Sequence, residues 1–197
     1  MSEDALSSTL SGALVALVTW LDDENVPNAI IGGVGVSLAA QPRFTQDIDA
    51  VLWIDSGRWE ALIESAVEHG FSLRERDAIA FARRARVLLL KHENSGVEID
   101  LSFGALPFER ELIDRAEFFV VNAVTVKVAT PEDLIVTKAV AQRAKDIVDI
   151  ETILNIREDL DLSRVRSWVR QFADALETPE IFDTVERLLL AKQKLKR

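Results

Sequence analysis

The chain opens on a helical rhythm. Leu6, Leu10, Leu14, Leu17 and Leu21 recur at three- and four-residue intervals, the spacing that lines one face of a helix. They predict an amphipathic helix over 5–21 that ends before Pro27. Residues 28–31 form a short apolar run of strand type. Gly32, Gly33 and Gly35 follow at once, and the small residues of 34–40 predict a short helix leaving a glycine turn. Residues 47–54 read as a second strand, continuously apolar after its third residue, as expected of a strand covered on both faces. Ser56 is placed to cap a helix running to His69, with Gly70 ending it. A helix over 77–85 precedes two strands, 87–92 and 97–102, joined by the hairpin residues Glu93-Asn94-Ser95-Gly96. After a helix at 107–116, strands at 118–121 and 124–128 turn at Asn122. Thr130 and Pro131 then suit the N-cap and first turn of a helix, and only helices follow to Arg197, the last opened by Thr178-Pro179. The pattern predicts an α+β fold: a mixed sheet flanked by helices over 1–129, then an all-helical region over 130–197 packed on that core.

Composition narrows the class. With 197 residues, 48% of them hydrophobic, the chain can bury a core without staples. It has no cysteine, which excludes disulfides, thiolate zinc sites and cysteine nucleophiles and suits a cytoplasmic protein. The acidic start at Glu3-Asp4 and the interruption of the first apolar run by Thr19 and Asp22-Asp23-Glu24 predict neither a signal peptide nor a membrane span. No membrane partner is expected. A net charge of -10 argues against broad affinity for nucleic acid, which rests on Lys and Arg neutralising phosphates. A local basic groove is still compatible, since Arg74, Arg76, Arg83, Arg84 and Arg86 share one region and Lys192, Lys194, Lys196 and Arg197 another.

The chemistry concentrates in acids and glycines. Asp47 and Asp49 lie two residues apart on a strand, so both carboxylates leave one face. Held that close they repel unless a cation sits between them, and a hard divalent ion such as magnesium prefers such oxygen ligands. Glu98 and Asp100 repeat the spacing on another strand, with Val97, Ile99 and Leu101 on the opposite face. Gly32 and Gly33 precede a short helix, where free backbone N–H groups favour a phosphate. A phosphate turn with a carboxylate cluster describes phosphoryl or nucleotidyl transfer. Each piece alone also has a structural reading: a solvated strand entrance for the acids, close packing of strand and helix for the glycines.

In combination, Gly32-Gly33, then Asp47-Ile48-Asp49, then Asp100 on a later strand resemble the signature of the polymerase-beta-like nucleotidyltransferase superfamily. The stretches Arg43-Phe44-Thr45-Gln46-Asp47-Ile48-Asp49, Thr130-Pro131-Glu132-Asp133-Leu134-Ile135-Val136-Thr137-Lys138 and Arg143-Ala144-Lys145-Asp146-Ile147-Val148-Asp149-Ile150 are similar to the small bacterial nucleotidyltransferases of abortive-infection and toxin–antitoxin type. The likeness runs from Ile30 to about Leu154. It implies that Asp47 and Asp49 bind Mg2+ or Mn2+, that Asp100 completes the metal site or acts as general base, and that Gly32 and Gly33 hold the triphosphate. Arg43, Lys138 and Asp146 would line the nucleotide pocket. The implied substrates are a nucleoside triphosphate and a hydroxyl acceptor, whether RNA, protein or small molecule, with a cognate antitoxin as partner. One departure is Gly33-Val34, where many members place Ser after the glycine and gain a hydroxyl contact to phosphate.

Lys138 also has a reading of its own. Leu134, Ile135 and Ala141 surround it at helical spacing, so it is drawn either to a partly buried anion or to a carboxylate such as Asp146. Arg83, Arg84 and Arg86 are compatible with a substrate channel and with an exposed helix face. His69, His92 and the four tryptophans are read as structural. Two further functions use the same residues: a non-catalytic nucleotide- or partner-binding member of the fold, and a magnesium-dependent phosphohydrolase activating water.

Overall fold

A computed structural model of the chain describes residues 6–195, with side chains described to residue 192. Glu3, Asp4, the Lys194 side chain, Lys196 and Arg197 therefore lie outside the described residues. Two compact units emerge, one built from the residues up to Leu38 with Pro42–Ala129, the other from Ala39–Gln41 and the residues from Thr130 onwards.

The first unit is organised around a sheet of seven strands: β1 (Asn28–Ile31), β2 (Asp47–Leu52), β3 (Phe71–Leu73), β4 (Val87–His92), β5 (Glu98–Phe103), β6 (Glu117–Val121) and β7 (Val124–Val128). Their spatial order is β3-β4-β5-β2-β1-β7-β6. Only β1–β7 and β2–β5 pair in parallel, so the sheet is mixed. Residues paired across the ladders share a face. Ile48, Ala50, Leu52, Leu88, Leu90, Ile99, Leu101 and Phe103 thus form one continuous apolar face, and all are buried.

Helices α1 (Ser8–Asp23) and α3 (Trp59–Glu68) pack on that apolar face: Trp20 lies 5.2 Å from Phe71, and Trp59 stacks on Phe103 at 4.2 Å. The unit also carries α2 (Gly32–Ala39), α4 (Ala78–Ala85) and α5 (Pro107–Asp114). The sequence pattern locates these elements to within a few residues, with three local differences. The cap before α3 is Asp55, whose carboxylate accepts from the Gly57 amide at 2.8 Å, and a short 3-10 turn at Ser56–Arg58 precedes the helix. Helix α2 starts at Gly32 rather than Val34. Strand β3 has no counterpart in the sequence reading.

The second unit is helical: α6 (Pro131–Ala141), α7 (Ala144–Ile156), α8 (Leu162–Ala175) and α9 (Glu180–Leu195). Thr130 caps α6 by accepting from the Asp133 amide, with Pro131 in the first turn as its fixed φ favours. Leu134, Ile150, Ile153, Val165, Val169, Ile181, Val185 and Leu189 are buried apolar residues contributed by all four helices. Among the described residues no helix is long and apolar enough to cross a membrane.

Candidate active site

The site is written in the register of the sheet. β2 and β5 run in parallel with Asp47 opposite Glu98 and Asp49 opposite Asp100, so four carboxylates leave the face opposite the apolar one. Ile31, the last residue of β1, pairs with Asp49 on the other side. The chain therefore enters α2 beside the Asp49 carboxylate.

That entry has no room for side chains. Gly32 has φ +61, and a Cβ there would lie 2.6 Å from Asp49 Cγ and 2.7 Å from Asp49 Cβ. A Cβ on Gly33 would lie 2.7 Å from Arg43 Nη2 and 2.9 Å from Thr45 Cβ. The two glycines let Asp49, Arg43 and Thr45 close over the first turn of the helix. This is a closer packing than the sequence-level picture of an open phosphate turn.

The loop before β2 is tied down at both ends. Ser37, nearly fully buried in α2, donates to the Arg43 carbonyl at 3.3 Å and accepts from the Arg43 amide at 3.4 Å. The Thr45 hydroxyl donates to Asp47 Oδ1 at 2.8 Å, which orients the first carboxylate of the pair. Arg43 Nη1 donates to the Phe44 carbonyl at 3.1 Å. Thr45 was visible only as part of the motif, yet its place two residues before Asp47 on an extended chain is what lets it make this bond.

Asp100 has a cation of its own. Arg74 Nη1 donates to Asp100 Oδ1 at 2.6 Å, while Nη2 bonds Glu98 Oε2 at 2.9 Å. In the sequence Arg74 is one of a basic cluster with Arg76, Arg83, Arg84 and Arg86. Its neighbours in that cluster are structurally engaged: Arg83 pairs with Glu60 at 3.0 Å, and Arg86 donates to the carbonyls of Phe103 and Gly104 at 3.0 Å.

The donor chemistry fits a hard divalent cation, since Asp47, Asp49 and Asp100 offer carboxylate oxygens on one face. Among the described residues, however, no three acidic, histidine or cysteine side chains are gathered closely enough to hold one. Arg74 satisfies the Asp100 carboxylate from the edge of the sheet.

Lys138, Asp146 and Asp149 form a cluster within the helical unit. The Lys138 ammonium is 3.1 Å from Asp146 Oδ1 and 2.8 Å from Asp149 Oδ2, and all three side chains are at most 5% exposed. Asp146 also accepts from the Arg143 amide at 3.2 Å, from Nε at 2.6 Å and from Nη2 at 3.2 Å, which caps the start of α7. Burial alone would raise the Asp146 carboxyl pKa. The hydrogen bonds from Arg143 and Lys138, with their charges, outweigh it and hold the group below the ordinary aspartate value. Four donors fill the lone pairs of this carboxylate.

Residues 16–196 match the family described as the nucleotidyl transferase AbiEii toxin of type IV toxin–antitoxin systems. The chain belongs to this family. Its fold is that of the polymerase-beta-like nucleotidyltransferases, and its enzyme class is nucleotidyl transfer. No curated protein matches the chain in sequence. Among solved structures it is similar to an antigenic nucleotidyltransferase-like protein from Paracoccidioides brasiliensis, at 17% identity and a TM-score of 0.55 over 91% of this chain and 93% of that one. The antibiotic-resistance factor ANT(2'')-Ia superposes with a TM-score of 0.58 at 15% identity, covering 89% of this chain and 97% of its own. The lincomycin-bound lincosamide antibiotic adenylyltransferase LnuA gives 0.55 at 17% identity, covering 74% and 97%. At these identities the likeness is one of fold.

Proposed function

We propose that this family member moves a nucleoside monophosphate from a nucleoside triphosphate to a hydroxyl acceptor, releasing pyrophosphate, and that the carboxylate face of the sheet does so with Mg2+ or Mn2+. The observation that carries the reading is the row in which Gly32 follows Ile31, Ile31 pairs with Asp49, and Asp49 pairs with Asp100. The start of α2, a carboxylate pair and a third acid are thereby neighbours in one row of the sheet, which supports this reading.

Asp47 and Asp49 would hold the cation, and Asp100 would complete its ligands or act as base. When bound, such an ion neutralises phosphate oxygens and orients the acceptor. The chain's own groups do the rest. Amides at the start of α2 and the guanidinium of Arg43 hold the triphosphate in place. Thr45 fixes the direction of Asp47. Asp100 takes the proton of the acceptor hydroxyl as that oxygen bonds to the α-phosphorus and pyrophosphate departs. The missing hydroxyl at Val34 leaves more of the phosphate contact to backbone and Arg43.

The family description supports a toxin with a cognate antitoxin, and the antibiotic-modifying neighbours keep small hydroxylated molecules beside RNA and protein as acceptors. The cysteine-free composition is consistent with a cytoplasmic setting. Calorimetric titration of a non-hydrolysable triphosphate with Mg2+ into the native protein, Asp47→Asn and Asp49→Asn tests the assignment. Binding should be lost or strongly weakened in both variants, and undiminished affinity in both would refute it.

A further inference from the structure

Arg74 sits just beyond β3 at the edge of the sheet, yet it reaches the candidate site. Its amide donates to the Leu89 carbonyl at 3.0 Å, which extends the β3–β4 ladder by one residue. Leu89 pairs with Asp100, and Asp100 with Asp49. Arg74, Leu89, Asp100 and Asp49 therefore form one row across four strands, and the pleat sends their side chains to the same face. Neighbouring strands are about 4.8 Å apart, so an extended arginine two strands away is long enough to cover the gap. The forked guanidinium bonds Asp100 with one nitrogen and Glu98 with the other. The planar guanidinium presents several N–H donors in a fixed fork, so one side chain can serve both acids at once.

We propose that Arg74 is a positioning residue for the third carboxylate: it serves as the counter-ion of Asp100 while no divalent cation is bound, and it competes with that cation for the carboxylate. This inference rests on the reading of Asp47, Asp49 and Asp100 as the cation site. Two observations carry it. Asp100 is held at 2.6 Å by a charge-assisted hydrogen bond from the sheet edge, and it stands opposite Asp49 in the register of β2 and β5. A carboxylate that gives its charge to a guanidinium is a weaker ligand, so arginine pairing and cation binding oppose one another by the same free energy in both directions. The pair is partly solvated, with side-chain exposures of 27% for Arg74 and 44% for Asp100. Solvent screening limits the competition to a moderate effect and lets the guanidinium swing away at little cost.

The test is Mn2+ binding to the full chain without nucleotide, followed by electron paramagnetic resonance, for the native protein, Arg74→Gln, Arg74→Lys, Asp100→Asn, Asp49→Asn and the Arg74→Gln/Asp100→Asn double variant. Arg74→Gln should bind Mn2+ roughly three- to tenfold tighter than the native protein. Arg74→Lys should fall between them, and Arg74→Gln should gain much less when Asp100 is already Asn. If the native protein binds Mn2+, Asp49→Asn does not, and Arg74→Gln is unchanged or weaker, the counter-ion role is overturned while the cation site stands. Absent Mn2+ binding by the native protein, or full binding by Asp49→Asn, would remove the site and the proposal together. Should Arg74→Gln not fold, side-chain 15N resonances of Arg74 in the native protein must shift on addition of Mg2+, and unmoved resonances overturn the proposal.

Discussion

A Cβ added to Gly32 would stand 2.6 Å from the Cγ of Asp49, so the residue that opens α2 and the second acid of the strand pair share one small volume. The backbone there has φ +61, which costs an L-residue about 1–2 kcal/mol before any overlap is counted. Gly32→Ala should therefore lower the unfolding free energy by at least that amount and turn Asp49 out of place. Denaturant unfolding with parallel Mg2+–triphosphate titration checks this. We expect an affinity loss of about tenfold or more, equivalent to roughly 1.4 kcal/mol. A stable variant with native affinity would show that the glycine serves neither purpose.

Asp100 should matter more to turnover than to binding. With Asp47 and Asp49 intact, Asp100→Asn should bind a non-hydrolysable triphosphate within a few-fold of the native protein. Loss of a general base typically costs about 100- to 10,000-fold in rate, and that is the drop expected in transfer. Native turnover in this variant would exclude the role of base.

Lys138 is expected to act on stability first. Its ammonium is nearly fully buried between Asp146 and Asp149. Lys138→Met keeps the apolar stem but leaves two buried carboxylates with less compensation, a change that typically costs about 3–5 kcal/mol. Urea unfolding should show that loss while nucleotide affinity, measured well below the unfolding transition, stays near native. A stable Lys138→Met protein that no longer binds nucleotide would instead return Lys138 to the nucleotide pocket.

The pH dependence of the helical unit follows from Asp146. Its folded pKa lies below the ordinary value, so the unfolded chain takes up the proton first as pH falls. The stabilisation is complete above the ordinary aspartate value of about 3.9 and is lost as pH falls through the depressed folded value. Urea unfolding between neutral pH and pH 3 should therefore fall more steeply for the native protein than for Asp146→Asn. Equal slopes would contradict this.

These residues also show what a sequence can display. The hydrophobic period located most helices and strands because each buries a regular stripe, and Asn122 marked the tight turn of the β6–β7 hairpin, where Asn122 and Ala123 have φ 47 and 66. The Asp47/Asp49 and Glu98/Asp100 pairs could be placed on faces from a period of two alone. Their lateral alignment could not, because register is set by partners far away in sequence. β3 escaped for a simpler reason: Phe71–Leu73 is too short to show alternation. Missing that strand hid Arg74, whose position depends on it. The glycines were legible as a turn, but only the folded chain shows which side chains occupy the space they leave.

Transfer of labelled nucleotide decides whether the carboxylate face is catalytic. The native protein, Asp49→Asn and Asp100→Asn are each incubated with one α-32P-labelled nucleoside triphosphate at a time, Mg2+ and a cell extract, and label is followed in the RNA, protein and small-molecule fractions. The account predicts that the native protein labels one fraction with release of pyrophosphate, that EDTA abolishes the labelling, and that both variants lose it while remaining folded. Labelling retained by Asp49→Asn, or release of free nucleotide with no acceptor labelled in any fraction, would contradict it.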